Sequence, residues 1–340
     1  MKKTTKVTII VLAVLLAFSM SACEWLFGVA MSVNGTAVNV MAESTSVATE
    51  EYWKGESTTG QAITLTGATV SLTPIAGGAA LTGEVMSDGS WIITDISTGR
   101  YIMSGSKSGW TFIPTEVEVS GLFQDVTEEL LAYPTQSDQT ILLIAKWKNR
   151  KIDVDSYLVI DNDEDMAAST YTVGYSQPQY PASGTATVSL DRDVRFDPVT
   201  DTVVNSEQAV ETIRIISNPF GAGSGYLRYY LDAYGYYDSG LVADNGYVSS
   251  GGIVKGGTLT GNPDATTFKE RAEARVYIMQ GDTLFGTWPL PVDTAEATLG
   301  ILRIQVTGGT PTGYLFYSFG SYDTPRVLNS FTPVGVDEIR

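Results

Sequence analysis

In residues 67–72, GATVSL, the side chains of Ala68, Val70 and Leu72 alternate with two hydroxyl side chains. Successive side chains of a β-strand point to opposite faces, so these three apolar side chains share one face. An apolar face backed by a polar one predicts a half-buried strand of an antiparallel sheet. The turn residues Ser87-Asp88-Gly89 follow a second apolar run, which predicts that tight turns join the neighbouring strands.

The same pattern continues to the end of the chain, as short β-branched and aromatic runs separated by Gly, Asn-Gly and Asp-Gly. It predicts an all-β protein whose first strand is at residues 33–38. Helical turns are expected in two connecting segments, at residues 126–131 and 265–275.

The length leaves room for about two domains once an N-terminal signal is removed. We therefore expect two tandem antiparallel β-sandwich domains. The expected segments are an export signal at 1–22, a lipidated N-terminus and tether at 23–32, a first sandwich at 33–134, a linker at 135–139, and a second sandwich with C-terminal strands at 140–340.

The N-terminus has the layout of an export signal. A basic start precedes an apolar run at 7–18, which is too short to span a bilayer as a helix. Met20-Ser21-Ala22-Cys23 then resembles the lipobox of bacterial lipoproteins, in which the cysteine is lipidated and becomes the new N-terminus. Met20 stands where that family usually has Leu, Val or Ile. Ordinary signal-peptidase cleavage after Ser19 is the alternative.

The charge and the missing residue types exclude several classes of function. The formal net charge is −17, and an acidic chain of this kind repels nucleic acid and anionic lipid surfaces. The sequence contains no histidine, which excludes Ser-His-Asp and Cys-His catalysis and most zinc sites. Its single cysteine, Cys23, is the expected lipidation site, so disulfides and thiolate catalysis are excluded as well.

Apolar strand residues and turn glycines recur at a characteristic spacing, namely at Gly67, Ala68, Val70, Leu72, Asp88, Gly89, Trp91, Ile96, Gly99, Tyr101, Gly109, Trp110 and Phe112. With these residues, the segment 60–119 resembles the carboxypeptidase regulatory-like family, a transthyretin-like β-sandwich. The resemblance implies that Trp91 and Tyr101 fill a small core, where each buries about 150–250 Å². Related sandwiches include starch-binding modules, so a carbohydrate-binding-like fold is also implied.

A strongly apolar strand at 141–147 ends in Trp147 and is followed by Asp153-Val154-Asp155-Ser156-Tyr157-Leu158. This arrangement is similar to the start of a pre-peptidase C-terminal-like β-sandwich, a module of secreted bacterial enzymes and surface proteins. Further segments that fit its layout are 190–194, 211–215 and 225–235. Members of that group bind calcium near acidic strands, which the resemblance implies without locating the ligands.

An acidic group is the candidate cation site, and it consists of Asp153, Asp155, Asp161, Asp163, Glu164 and Asp165, of which the aspartates are the candidate ligands. Hard cations such as Ca²⁺ take several oxygen ligands from one or two loops. The last three aspartates open like an EF-hand loop, but Met166 occupies its glycine position and Thr172 its final acidic position. A structural calcium ion and a solvated acidic turn therefore remain as alternatives.

Residues 226–237 are unusually rich in tyrosine. Read as a strand, the run places Leu227, Tyr229, Leu231 and Ala233 on a core face. The opposite face is the candidate ligand face, and it carries Tyr226, Arg228, Tyr230, Asp232, Tyr234 and Tyr236. Flat aromatic rings beside hydrogen-bonding groups suit sugar stacking or a protein partner. Cross-strand tyrosine pairs also stabilise sheets that bind nothing.

Our leading interpretation is a non-catalytic cell-envelope lipoprotein whose sandwiches present a binding or spacer surface. A carbohydrate-binding protein that uses the tyrosine-rich face is the alternative, and a glycosidase with paired carboxylates ranks third. No cofactor is expected apart from the structural calcium ion. The expected partners are the membrane, through the lipid, and a glycan or envelope protein, but not nucleic acid. Because Glu24 rather than Asp follows Cys23, the resemblance favours the outer membrane or the cell surface over the inner membrane.

Overall fold

The computed structural model describes residues 31–41, 65–120, 125–147, 152–162, 171–174, 177–192, 196–197, 202–203, 209–236, 247–248, 254–255, 274–289, 298–317 and 325–328. These residues are almost entirely β-structure, which confirms the predicted fold class. Within these ranges, no helix is both long enough and apolar enough to cross a membrane.

The strands of the first sandwich are β1 (Met31–Asn39), β2 (Thr69–Pro74), β3 (Leu81–Glu84), β4 (Ser90–Ile96), β5 (Gly99–Ser106), β6 (Trp110–Phe112), β7 (Thr115–Val119), β8 (Val126–Thr127) and β9 (Leu130–Pro134). One sheet has the order β4-β1-β9-β6, with β8 beside β1, and the other has the order β3-β2-β5-β7. The alternation predicted for residues 67–72 is observed in β2, where Val70 and Leu72 are fully buried. They pack with Trp91, Tyr101 and Met103 in the core between the two sheets.

The segment 126–131 is not helical, contrary to the sequence-based expectation. Its two ends are strands that pair in parallel with β1, at Val33↔Val126 and at Ala37↔Leu130. The run VTEELL has helix-forming residues, but Leu130 and Leu131 are fully buried. Burial of these leucines in the strand conformation overrides the local helix propensity. Residues 265–273 of the other expected helical segment lie outside the described part of the chain, and β21 begins at Arg275.

The strands of the second sandwich and its connections are β10 (Ile141–Lys146), β11 (Ile152–Asp161), β12 (Tyr171–Val173), β13 (Gln179–Tyr180), β14 (Val188–Arg192), β15 (Phe196–Asp197), β16 (Thr202–Val203), β17 (Val210–Ile215), β18 (Gly225–Tyr236), β19 (Tyr247–Val248), β20 (Val254–Lys255), β21 (Arg275–Gln280), β22 (Thr283–Pro289), β23 (Thr298–Thr307), β24 (Thr310–Tyr317) and β25 (Pro325–Leu328). One six-stranded sheet has the order β13-β14-β17-β10-β21-β22. The other has the order β12-β11-β18-β23-β24-β25.

The core of the second sandwich lies between these two sheets. The apolar strand β10 is central in its sheet, between β17 and β21, and its Leu143 and Ala145 are fully buried. From the other sheet, Leu227, Tyr229 and Leu231 of β18 pack into the same core. The core face expected for the tyrosine-rich run is therefore the one observed at these three positions.

Candidate functional site

The two sandwiches meet through a buried apolar cluster, which we call the junction cluster. Its members from the first sandwich are Val38, Val40, Met41, Ile113, Leu131 and Tyr133, and those from the second are Leu142, Ile144, Val210, Tyr277 and Met279. All of them are buried, so the hydrophobic effect holds the two sandwiches together as it holds each core. Leu142 and Ile144 lie on β10 between the core residues of the second sandwich, which explains why that strand is apolar on both faces.

Buried hydrogen bonds cross the junction. The hydroxyl of Tyr133 donates to the carbonyl oxygen of Gly281 at 2.7 Å. The guanidinium of Arg192 donates through Nη1 across the junction to the carbonyl oxygen of Asn39 at 2.9 Å. Its Nε donates to the carbonyl oxygen of Val210 at 3.0 Å, within the second sandwich, which holds the guanidinium in place. Because the groups in the two crossing bonds are removed from water, any shift of one sandwich against the other would leave them unsatisfied, at a cost of about 1–3 kcal/mol each. These bonds therefore fix the relative orientation of the two sandwiches.

A buried ion cluster lies at the same junction. The ammonium group of Lys146, whose side chain is 8% exposed, pairs with Glu128 and, at 3.1 Å, with Glu129. Burial alone would lower the pKa of Lys146, but the Glu129 and Glu128 carboxylates raise it above its ordinary value of 10.5. The amine is therefore protonated at neutral pH and is not a nucleophile or a general base.

A cavity of about 600 Å³ opens beside this ion cluster. Its lining comes from both sandwiches and consists of Asn34, Gly35, Thr36, Met86, Ser90, Trp91, Ile92, Thr127, Glu128, Glu129, Lys146 and Trp147. Met86 and Ile92 are 48% and 47% exposed, which makes part of the lining apolar and open to solvent. Among the described lining residues, the carboxylates of Glu128 and Glu129 and the ammonium of Lys146 sum to a formal charge that is negative. The cavity size lies within the range of small-molecule sites, about 300–1,000 Å³.

Alkaline pH is expected to weaken the folded state through buried groups at the junction and in the core of the second sandwich. Burial raises the pKa of Tyr133 and Tyr229 above the ordinary value of 10.0, and carboxylates raise that of Lys146. At pH values below the pKa that each group has in the unfolded chain, its contribution to the free energy of unfolding is fully present. Above about pH 10 the unfolded chain releases these protons while the folded chain retains them, so the free energy of unfolding falls by about 1.4 kcal/mol per pH unit for each group.

Urea unfolding of the wild type and of Tyr133→Phe at pH 8, 10 and 11 measures this effect. Tyr133→Phe should cost about 1 kcal/mol at pH 8, because the hydrogen bond to Gly281 is lost. It should also show a smaller additional loss between pH 10 and 11 than the wild type. An identical alkaline loss in the two proteins would contradict the assignment to Tyr133.

Of the three members of the candidate ligand face on β18 whose side chains the structure describes, Arg228 and Tyr230 are closed to solvent. Arg228 is 2% and Tyr230 is 3% exposed, and Tyr230 packs with Tyr157 and Val159. Arg228 instead pairs with Asp161 of β11 at 2.8 Å. Tyr226 is partly exposed, and the guanidinium carbons of Arg228 and Arg303 lie 5.1 and 5.2 Å from the centre of its ring. The face members whose side chains lie outside the described structure are Asp232, Tyr234 and Tyr236.

The predicted cation site is described only in part. Asp155 and Asp161 are buried on β11, and Asp161 is held by the guanidinium of Arg228, which offsets its charge. In the described ranges, no three His, Cys, Asp or Glu side chains come together as a group that could hold a metal ion. Asp163, Asp165 and the side chain of Asp153 fall outside those ranges, as does Cys23, so their roles stay predictions.

The ion cluster at the junction is not predicted by the sequence patterns. They place Lys146 in an apolar strand, and Glu128 and Glu129 in a connecting segment. The signal that could have revealed it is a lysine inside the run ILLIAKW, because a lysine in a buried strand requires an acidic partner. The adjacent pair Glu128-Glu129 lies shortly before that strand in the sequence.

Comparison with known proteins adds little to these observations. The sequence matches no protein-family model and no curated protein. Among solved structures, the major pilin SpaD from Corynebacterium diphtheriae is 11% identical, with 85% of this chain and 87% of the pilin covered and a TM-score of 0.23. A putative adhesin from Bacteroides ovatus is 9% identical, with coverage of 80% and 82% and a TM-score of 0.20.

A chain from a type II cohesin–X-dockerin complex of Acetivibrio cellulolyticus is 17% identical. The match covers 32% of this chain and 60% of that chain, with a TM-score of 0.20. Scores this low carry no functional argument. The functional argument therefore rests on the side chains of this protein.

Proposed function

We propose that this protein is an exported, non-catalytic envelope protein whose two docked sandwiches form one rigid unit that presents binding surfaces to the cell exterior. The observation that carries the proposal is the junction cluster together with the hydrogen bonds that cross it. Domains that move independently are joined through smaller and more polar interfaces. A buried apolar junction with Tyr133 and Arg192 bonded across it supports a fixed spacing and orientation instead.

The chemistry of the chain supports a role in binding rather than catalysis. The sequence lacks histidine, and its one thiol, Cys23, is the proposed lipid attachment site. The buried Lys146 is held in its protonated form by two glutamates, so it supplies structure and not a reactive amine. A spacer or binding protein requires only the rigid scaffold and an exposed ligand site.

Lipid anchoring at Cys23 is tested by comparing the wild type with Cys23→Ala in a bacterial host. We expect the wild type to incorporate radiolabelled palmitate and to fractionate with membranes, because several acyl chains hold a protein firmly at a bilayer. Cys23→Ala should incorporate none. Met20→Leu restores the residue usual in lipoboxes, and it should be processed at least as fast as the wild type.

The location of the anchored protein is tested by treating intact cells with protease. Digestion of the wild type on intact cells supports presentation at the outer surface. A wild-type protein that takes up no palmitate and stays in the cytosol would contradict the proposal.

A further inference from the structure

A second cavity lies in the second sandwich, where the edges of its two sheets come together. Strand β12 is the edge of one sheet, and β13 is the edge of the other. The cavity has a volume of about 480 Å³. It is lined by Ile160, Asn162, Tyr171, Tyr180, Pro219, Phe220, Gly223 and Ser224. It shares no residue with the cavity at the junction or with the candidate ligand face on β18.

Aromatic rings form the walls of this edge cavity. The rings of Tyr171 and Tyr180 have their centres 4.9 Å apart and are inclined at 65°, so together they make a corner. These two rings and that of Phe220 pack against the main core of the sandwich, but all three residues are partly exposed. The hydroxyl of Tyr171 donates to the carbonyl oxygen of Gln179 at 2.8 Å, which fixes its ring.

The loop that carries Phe220 is held in place by several hydrogen bonds. The side-chain oxygen of Asn218 accepts the backbone N–H of Phe220 at 3.0 Å, which makes a local turn. The β23–β24 turn holds the loop from the other side, because the N–H of Gly309 donates to Gly223 O at 2.9 Å and that of Gly308 donates to Ser224 Oγ at 3.1 Å. The cavity wall is therefore pre-formed, which reduces the entropic cost of binding.

A glycine allows the Phe220 ring to lie where it does. A Cβ atom built on Gly225, at the start of β18, would overlap the ring of Phe220 and the carbonyl oxygen of Asp161. The ring thus packs directly on the backbone of the strand that begins the tyrosine-rich run. No side chain larger than hydrogen fits at that position without displacing a wall of the cavity.

None of the described residues that line the edge cavity carries a charged side chain, although the chain as a whole has a formal charge of −17. These described residues offer an ionic ligand no counter-charge, whereas they suit a neutral ligand. Hydrogen-bonding groups are present at Asn162, which is exposed, and at Ser224, whose hydroxyl can still donate after accepting from Gly308. The cavity therefore combines aromatic faces with neutral hydrogen-bonding groups.

We propose that the edge cavity binds a neutral sugar unit of a glycan. A sugar ring has a flat C–H face, which stacks on an aromatic ring, and a rim of hydroxyls, which pair with amide and hydroxyl groups. The volume is that of a small-molecule site, and it favours one or a few sugar units over an extended peptide, which would need a longer groove. The inference rests on the proposed function, because it names the ligand of one of the binding surfaces that the protein is proposed to present.

Calorimetric titration of the full chain in mild detergent tests the site. The probes are the neutral trisaccharides maltotriose, cellotriose, mannotriose and N,N′,N″-triacetylchitotriose, with trigalacturonic acid as the charged counterpart. At least one neutral probe should bind, and the charged probe should not. Because binding is measured in solution, its failure would overturn the sugar site while leaving lipid anchoring and rigidity to their own tests.

Three variants locate the binding. Phe220→Leu removes one aromatic wall but keeps an apolar side chain, and Asn162→Ala removes one exposed polar group. Phe220→Leu should raise the dissociation constant by about tenfold, and Asn162→Ala should raise it by about three- to tenfold. The matched control is Phe285→Leu, a partly buried ring on the same core outside the cavity, and it should leave the constant unchanged. Melting temperatures identify a folding defect, and Asn162→Ala keeps the test valid if Phe220→Leu unfolds.

The proposal is overturned if no neutral probe binds. It is also overturned if a neutral probe binds equally well to the wild type, Phe220→Leu and Asn162→Ala, or if the charged probe binds as well as the neutral ones. Binding of an extended peptide in place of every sugar would equally reject it.

Discussion

Replacing Arg228 with methionine is expected to lower the free energy of unfolding by about 3–5 kcal/mol, the usual cost of removing one partner from a buried ion pair. Arg228 and Asp161 pair at 2.8 Å, and both side chains are almost completely buried. Methionine preserves much of the side-chain volume, so the loss comes mainly from a carboxylate left buried without this guanidinium. The cation–π contact with Tyr226, 5.1 Å from the ring centre, is lost as well.

Chemical denaturation of Arg228→Met, of Asp161→Asn and of the double variant separates the ion pair from other effects. The double variant should recover at least half of the loss caused by Arg228→Met, because the buried charge is then removed together with its partner. Tyr226→Phe serves as the control, since it keeps the ring under the guanidinium. A loss below about 1 kcal/mol for Arg228→Met would place the pair among solvent-exposed ion pairs and contradict its burial.

Gly35→Ala is expected to be the most damaging small substitution at the junction, with a loss of about 3 kcal/mol or more from overpacking. A Cβ atom on Gly35 would overlap the carbonyl oxygen of Glu128 and lie 3.2 Å from Cζ2 of Trp91. The N–H of Glu128 donates to Asn34 O at 2.9 Å, so the two backbones cannot separate without breaking this bond. Displacement of Glu128 would also disturb its ion pair with Lys146.

Gly313→Ala is the matched control, because it also adds one methyl group to a strand glycine. The nearest atom to its Cβ would be Gln305 Oε1 at 3.4 Å, an ordinary contact. It should leave the free energy of unfolding unchanged or raise it by about 0.4–1 kcal/mol, because alanine leaves the unfolded chain fewer backbone conformations than glycine does. Thermal unfolding of both variants measures the difference. Equal melting temperatures for the two would contradict the close approach of β1 and Glu128.

The sequence predicts best those features that depend on one strand alone. The alternation in residues 67–72 correctly indicates which side of β2 is buried, and the core face of β18 is correct at Leu227, Tyr229 and Leu231. Alternation carries this information because the two faces of a strand differ in their surroundings. The all-β class follows from many such segments along the chain.

Features that depend on packing between distant segments were not predictable. Burial of Arg228 and Tyr230 on the second face of β18 depends on what covers that face, and their own positions in the strand do not reveal it. The strands within residues 126–131 exist because β1 pairs with them in parallel, about 90 residues away in the sequence. A local pattern cannot report either effect.

The candidate sites illustrate the same limit. Tyr171, Tyr180 and Phe220 are spread over 50 residues of the sequence, and two sheet edges and a loop bring them together. The tyrosine-rich run predicts a ligand face because its aromatic residues are close together in the sequence, yet its Arg228 and Tyr230 are buried. The aromatic residues that line the edge cavity are far apart in the sequence, so no local pattern predicts the cavity.

The junction and the edge cavity together give the proposed role a physical basis. The junction cluster, Tyr133 and Arg192 hold the first sandwich against the second. The edge cavity lies at the meeting of two sheet edges and not at the junction, so ligand binding there does not require the sandwiches to move. Such a protein would hold the edge cavity at a fixed distance and orientation from its first sandwich.

Rigid docking of the two sandwiches is the central claim, and a distance measurement between them tests it most directly. Spin labels on Thr82→Cys in β3 and Thr310→Cys in β24, both exposed positions, can be placed in a Cys23→Ser background. Pulsed electron paramagnetic resonance should then give one narrow distance peak, no broader than the flexibility of the labels themselves. A broad or two-peaked distribution in the folded protein would show that the sandwiches move independently, and it would contradict the account.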